Sequence, residues 1–178
     1  NGDICDIVES VVKGDKVCRY GKKTDLDITA KRIISTPKHY AYLKIAEGCD
    51  NRCTYCVIPD IRGKFRSRNM TDIIEEVEGL AEMGIKEICL VAQDTTRYGL
   101  DLYGRYSLAE LVREITKNTS IPWIRLLYCY PDKITDELIA ELRDNPRLVK
   151  YMDIPVQHIS DKVLTRMNRH GGSELIKS

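Results

Sequence analysis

Three cysteines fall within eight residues, in the run Cys49-Asp50-Asn51-Arg52-Cys53-Thr54-Tyr55-Cys56. Three thiolates on one short loop can ligate three irons of a cubane and leave the fourth iron without a protein ligand. An open iron can chelate a small molecule, by the logic that keeps one position vacant in catalytic metal sites. A structural zinc site wants four ligands, and no fourth Cys or His stands at finger-like distance. The Cys-x2-Cys-x2-Cys spacing of bacterial ferredoxins is not what stands here. A redox Cys-x-x-Cys pair, Cys53 with Cys56, would leave Cys49 unexplained.

Such a loop needs a scaffold, and the chain around it alternates strand and helix. Residues 40–46 read as a strand running straight into the cysteines. A helix is expected over 71–83, with Thr71 as cap and Ile73, Ile74, Val77, Leu80 and Ala81 on one face, closing at Gly84. A buried-type strand follows from Glu87 to Ala92, then a helix over 107–117 capped by Ser107. The third strand is expected from Trp123 to Tyr130, stopped by Pro131, and the third helix over 135–143 with Thr135 as cap. A fourth strand from Tyr151 to Val156 and a last helix beginning near Ser160 complete the pattern. Crossovers of helical length make the strands parallel and the connections right-handed. The fold class is therefore α/β, either a Rossmann-like sheet or part of a parallel (β/α) barrel of the TIM type. The absence of Gly-x-Gly-x-x-Gly after the first strand disfavours the dinucleotide fold. The expected order is 1-2-3-4, with the cysteine loop at the carboxyl end of the first strand, where such barrels place function.

Ahead of this unit, Ile4, Ile7, Val8, Val11 and Val12 have the spacing of one helical face, with Asp3 as N-cap and Gly14 as stop. A strand-like run, Lys16 to Tyr20, and a polar linker over 21–38 follow. The expected division is residues 1–38, the tail of a preceding domain plus linker, and residues 39–178, the core domain.

Composition limits the classes further. The 178 residues are 43% hydrophobic and 31% charged, which suits a packed core rather than disorder. Lys plus Arg number 28 against 27 acidic residues, so an acidic partner would have to be met by a local patch. Apolar runs such as Ile88 to Ala92 are too short to cross a bilayer, and no membrane role is expected. The opening Asn1-Gly2-Asp3 carries no basic-then-apolar leader. Seven cysteines, an odd number with three crowded together, fit a reducing, cytoplasmic compartment better than a disulfide framework. Cys5, Cys18, Cys89 and Cys129 are expected as small core residues.

The cysteine run resembles the radical-SAM enzymes, whose signature is Cys-x3-Cys-x-aromatic-Cys, with Tyr55 in the aromatic slot. Glu47-Gly48-Cys49, Tyr55-Cys56-Val57-Ile58-Pro59, Arg62-Gly63 and Ser67-Arg68 resemble the methylthiotransferase branch. Ala92-Gln93-Asp94-Thr95-Thr96-Arg97-Tyr98-Gly99 is similar to the members that modify an aspartate of a small-subunit ribosomal protein. The tRNA-modifying members carry a Gly-Gln-Asn-Val-Asn-type segment there. The resemblance runs from about residue 39 to the end.

It implies a [4Fe–4S] cluster on Cys49, Cys53 and Cys56, whose open iron binds the amino and carboxylate groups of S-adenosylmethionine. One-electron reduction, by a donor of flavodoxin or ferredoxin type, would split the S–C5′ bond. The resulting 5′-deoxyadenosyl radical would take hydrogen from the aspartate β-carbon, and sulfur plus a methyl group from a second S-adenosylmethionine would complete the product. The family pattern places Tyr55 near the adenine, with backbone around Ile58. Family members also carry an N-terminal domain with three more cysteines and a C-terminal β-barrel, so this chain is expected to be a fragment with a partial radical-SAM barrel.

Barrel geometry nominates further residues at strand ends: Gln93 and Asp94, Tyr128 and Tyr130, Gln157 and His158. Of these, Gln93 and Gln157 are the expected cofactor contacts. Arg62, Lys64, Arg66 and Arg68, with Phe65 among them, form a basic stretch that would meet ribosomal RNA, an acidic protein surface or the cofactor carboxylate, or is simply a solvated loop. Two other readings stand beside the leading one: a tRNA methylthiotransferase, and a non-catalytic iron–sulfur or zinc protein.

Overall fold

The structure, a computed structural model, describes residues 3–21, 33–34 and 37–178. Most of the expected linker lies outside the described residues. Its first element is the helix α1 (Ile4–Val12), after which the chain enters β1 (Tyr40–Lys44). There follow β2 (Ala46–Glu47), α2 (Ile58–Arg62), β3 (Arg66–Ser67), α3 (Met70–Glu82) and β4 (Glu87–Val91). A 3-10 turn (Thr95–Arg97) leads to α4 (Leu100–Tyr103), α5 (Leu108–Asn118) and β5 (Trp123–Leu126). A second 3-10 turn (Pro131–Lys133) leads to α6 (Asp136–Asp144), β6 (Leu148–Met152), α7 (Asp161–Arg166) and α8 (Gly172–Lys177).

The main sheet has the order β1-β4-β5-β6, and every pairing in it is parallel. Leu43 stands beside Leu90, which stands beside Leu126, so one face is a continuous apolar row. That face buries Ala41, Leu43, Ile88, Leu90, Ile124 and Leu126 against Ile73, Val77, Leu80, Leu111, Val112 and Ile115 of α3 and α5. The alternation follows from the pleat: neighbours on each strand point to opposite faces, and only one face meets the helices. The other face presents Tyr42 and Lys44 toward the site described below.

Two strand boundaries differ from expectation for identifiable reasons, and two further features differ as well. The third strand ends at Leu126 because Tyr128 takes a left-handed backbone, φ 59°, which no ladder accommodates. The fourth strand is Leu148–Met152 rather than 151–156. Lys150 does not oppose this, because its ammonium reaches the carbonyls of Leu142, Arg143 and Asn145 at the end of α6. It thereby satisfies helix-end acceptors. Residues 16–20 form no strand and are largely exposed. The short antiparallel ladder of β2 with β3, Ala46 to Ser67 and Glu47 to Arg66, was not anticipated.

Capping is uneven. Thr135 caps α6 as expected, its hydroxyl accepting from the Leu138 N–H at 3.2 Å. The cap position of α3 is Asn69 rather than Thr71. Two cysteine expectations also change: Cys89 and Cys129 are buried, whereas Cys5 and Cys18 are exposed.

Candidate functional site

The cysteine loop leaves the carboxyl end of the sheet directly after β1 and β2, as barrel logic requires. Gly48 makes the turn, with φ 84°. A Cβ there would sit 2.2 Å from the Lys64 carbonyl oxygen and 2.7 Å from that of Gly63, so backbone packs where a side chain would be. Replacing Gly48 by Ala is therefore expected to cost about 2–5 kcal/mol, summing left-handed strain and a backbone clash. Urea unfolding of the variant measures it, and a cost below about 1 kcal/mol would contradict the packing described.

Side chains from distant segments then fasten the loop. The Gly48 N–H donates to Gln93 Oε1 at 2.7 Å, and the Cys49 N–H donates to the Gly63 carbonyl at 3.2 Å. The Thr54 N–H donates to the Met167 carbonyl at 3.1 Å, and its hydroxyl donates to the Arg166 carbonyl at 3.1 Å. Asn168 Nδ2 donates to the Asn51 and Arg52 carbonyls at 3.3 and 3.0 Å. The segment after α7 is thus a clamp on the loop. Among the described residues the non-glycines with positive φ are Arg52, Tyr128, Gln157 and Asn168. Arg52 is in the loop, Asn168 clamps it and Tyr128 faces the cavity beside it. Strained backbone collects at this end of the sheet, as it does at functional sites.

Beneath the loop lies a buried polar network. Lys133, 6% exposed, pairs with Asp94 Oδ2 at 3.0 Å and donates to Asn51 Oδ1 at 2.9 Å. Asn51 Nδ2 returns a bond to Asp94 Oδ2 at 2.8 Å, and Thr96 Oγ1 donates to Asp94 Oδ1 at 2.8 Å. Asp94, nominated as a strand-end residue, thus holds the floor of the loop rather than facing the cavity.

A cavity of about 640 Å³ opens beside the cysteines, within the range of about 300–1,000 Å³ typical of small-molecule sites. All three cysteines line it, together with Tyr55, Ile58 and Gln93. Val91, Ala92, Leu127 and Pro155 give it apolar walls, and Lys44 and Arg169 bring positive charge. Tyr128 and Tyr130 face it as strand-end logic expected. Gln157 does not: it is exposed, with φ 66°, and outside the lining, as is His158. The backbone turns over at this point, and the side chain goes to solvent.

Burial above all pushes the Cys49 thiol up, with Asp94, Cys53 and Cys56 adding to the effect against a bond from the Asn51 N–H. Among the described residues no three Cys, His, Asp or Glu side chains are drawn in around a single ion. Sulfurs around one tetrahedral zinc would lie about 3.8 Å apart. Burial pushes the Cys89 thiol up to about 11 and that of Cys129, which also lines the cavity, up to about 12, so both stay protonated core thiols.

The basic stretch divides. Arg68 is buried and pairs with Glu76 at 2.6 Å while donating to the Lys44 carbonyl at 2.8 Å. Arg66 donates to the carbonyls of Arg62 and Lys64. Only Arg62 and Lys64 remain exposed for a partner, and Arg62 lies 3.7 Å from buried Glu47. Asn51, Lys133 and Arg169 are the site residues that sequence reading missed. Lys133 and Arg169 meet the loop or cavity from far along the chain, and Asn51, inside the loop, is met there by Asp94 and Lys133; no local pattern marks such contacts.

Comparison with known proteins agrees with this arrangement. The chain is 55% identical over 167 residues to the "Ribosomal protein uS12 methylthiotransferase RimO" of Caldanaerobacter subterraneus subsp. tengcongensis, covering 93% of this chain and 38% of that protein. It is likewise 55% identical over 172 residues to the protein of that name from Clostridium tetani, covering 96% and 38%. The chain thus spans well under half the length of these curated relatives. Among solved structures it resembles the radical S-adenosylmethionine methyltransferase TsrM from Kitasatospora setae, solved with cobalamin and a [4Fe-4S] cluster bound. That match has a TM-score of 0.61 at 20% identity and covers 78% of this chain and 27% of that one. TsrM solved with tryptophan and a SAM analogue matches at a TM-score of 0.66 and 19% identity, covering 87% and 32%. At that identity the likeness concerns the fold. The model of the Radical SAM superfamily matches residues 43–178, from the end of β1 through the cysteine loop and its clamp, and the chain belongs to that superfamily.

Proposed function

We propose that Cys49, Cys53 and Cys56 hold a [4Fe–4S] cluster beside a cavity that takes S-adenosylmethionine. On this reading the chain is the radical-generating part of a methylthiotransferase acting on an aspartate of a small-subunit ribosomal protein. The observation that carries it is the convergence of the three cysteine side chains on one largely apolar cavity at the carboxyl end of a parallel sheet. When bound, such a cluster supplies the electron that splits the S–C5′ bond of S-adenosylmethionine.

The residues present fit the group. Three thiol donors from one loop leave one iron open, and the fourth cysteine on the cavity wall, Cys129, is a buried thiol that burial pushes up to about 12. Burial keeps the Cys49 thiol protonated until metal arrives, so loading the site expels a proton. Tyr55 and the backbone at Ile58 lie on the cavity wall where the adenine would rest. Gln93 fixes Gly48 through its oxygen and turns its amide toward the cavity. Val91, Ala92 and Leu127 exclude water from a reaction that water would quench. No role toward the cofactor is proposed for Gln157.

The finer assignment rests on relatives whose names specify ribosomal protein uS12 rather than tRNA. Residues 1–38 are proposed as the tail of a preceding domain, in keeping with an α1 that buries none of its residues. An electron donor of flavodoxin or ferredoxin type and the cytoplasm as compartment belong to the same proposal, with Arg62 and Lys64 left for ribosomal RNA. Among the described residues no helix is long and apolar enough to cross a membrane. After anaerobic reconstitution and dithionite reduction, the chain is expected to release 5′-deoxyadenosine from S-adenosylmethionine, read by chromatography. Protein carrying four irons that releases none would overturn the proposal.

A further inference from the structure

Tyr130 is held beside one of the three cysteines by an arrangement that its place at a strand end does not require. Its ring is 5% exposed and lines the cavity. The Lys133 ammonium lies 4.0 Å from the ring centroid and the Arg169 guanidinium 3.8 Å from it. Both cations are themselves buried, 6% and 8% exposed. Lys133 is fixed by Asp94 and Asn51, and Arg169 by the Pro155 carbonyl. The Tyr130 backbone is fixed as well, its N–H donating at 3.0 Å to Thr96 Oγ1, a hydroxyl that itself donates to Asp94. With ring and backbone immobilised, the hydroxyl is held 3.7 Å from Cys53 Sγ.

In the metal-free thiol either atom could give the proton. A ligating sulfur has none, so there the hydroxyl must be the donor. A donor to a cluster sulfur withdraws electron density and favours the reduced state, which carries one more negative charge. We infer that Tyr130 is a positioning residue that raises the reduction potential of the metal centre through a hydrogen bond from its hydroxyl to Cys53 Sγ. This rests on the assignment of Cys53 as a ligand. The two cations over its ring do not touch the sulfur; they lock the ring so that the hydroxyl stays aimed.

The test is a redox titration of the reconstituted chain followed by electron paramagnetic resonance, for the native protein and Tyr130→Phe. Iron and sulfide content is expected to be unchanged. At a fixed ambient potential the ratio of reduced to oxidised cluster in Tyr130→Phe is expected to fall roughly tenfold, equivalent to about 59 mV for one electron. A second form, with 3-fluorotyrosine at position 130, keeps the shape but makes the phenol a stronger donor, and its ratio is expected to rise. Opposite shifts in the two forms support the inference. A full cluster with an unmoved potential in Tyr130→Phe overturns it, as does a fluorinated form whose ratio fails to rise. Failure of the native chain to take up iron at all would instead sink the assignment of Cys53.

Discussion

Replacing Lys133 by Met is expected to destabilise the protein by about 3–5 kcal/mol, the range for breaking a buried ion pair by removing one partner. Lys133 is 6% exposed, and Asp94, which it neutralises at 3.0 Å, is 1% exposed. The substitution keeps much of the side-chain volume and removes the charge, so Asp94 is left ionised in the interior with only Asn51 and Thr96 for company. Removing both charges, with Asp94→Asn added to Lys133→Met, is expected to recover part of the loss, because the penalty lies in the uncompensated carboxylate. Denaturant unfolding of the metal-free protein separates these outcomes. A cost below about 1 kcal/mol for Lys133→Met would place the pair with solvent-exposed ion pairs and contradict its burial.

The second large effect concerns the loop itself. Cys49→Ala, Cys53→Ala and Cys56→Ala are each expected to abolish the visible absorbance of the anaerobically reconstituted protein, whereas Cys89→Ala is expected to retain it. The contrast is informative because Cys89 is only two residues from Val91, which lines the same cavity, and is also a free thiol. What separates them is placement. Cys89 is a strand residue whose thiol burial pushes up to about 11, while the trio sits on a loop whose cysteines all face the cavity. A site that survived loss of Cys53 would remove the basis for the ligand assignment.

Much of the frame was legible from residue order because it rests on local rules. The apolar rows of α3, α5 and β4 are periodic, and the alternation of strand with helix dictates parallel pairing. The cysteine loop declared itself by spacing alone. Errors arose where a side chain serves a distant element. Lys150 looks out of place in a strand until its ammonium is seen on the end of α6. Arg68 reads as part of a basic patch, yet Glu76 and the Lys44 carbonyl hold it inside. Lys133 and Arg169 reach the loop or cavity from far along the chain, 82 positions in the case of the Lys133–Asn51 bond, and no periodicity encodes that. Gln157 was nominated by strand-end logic from a strand that ends earlier than expected, at Met152. The intervening residues turn its side chain outward.

Cys49, Cys53 and Cys56 are expected to hold one cluster, not one ion. Iron, acid-labile sulfide and zinc are to be counted per chain after anaerobic reconstitution with iron and zinc salts and sulfide all available in excess, followed by desalting. About four irons and four sulfides per chain, the composition of a [4Fe–4S] cubane, are expected, with Cys53→Ala retaining neither. One zinc per chain without sulfide, or iron that persists in Cys53→Ala, would contradict it.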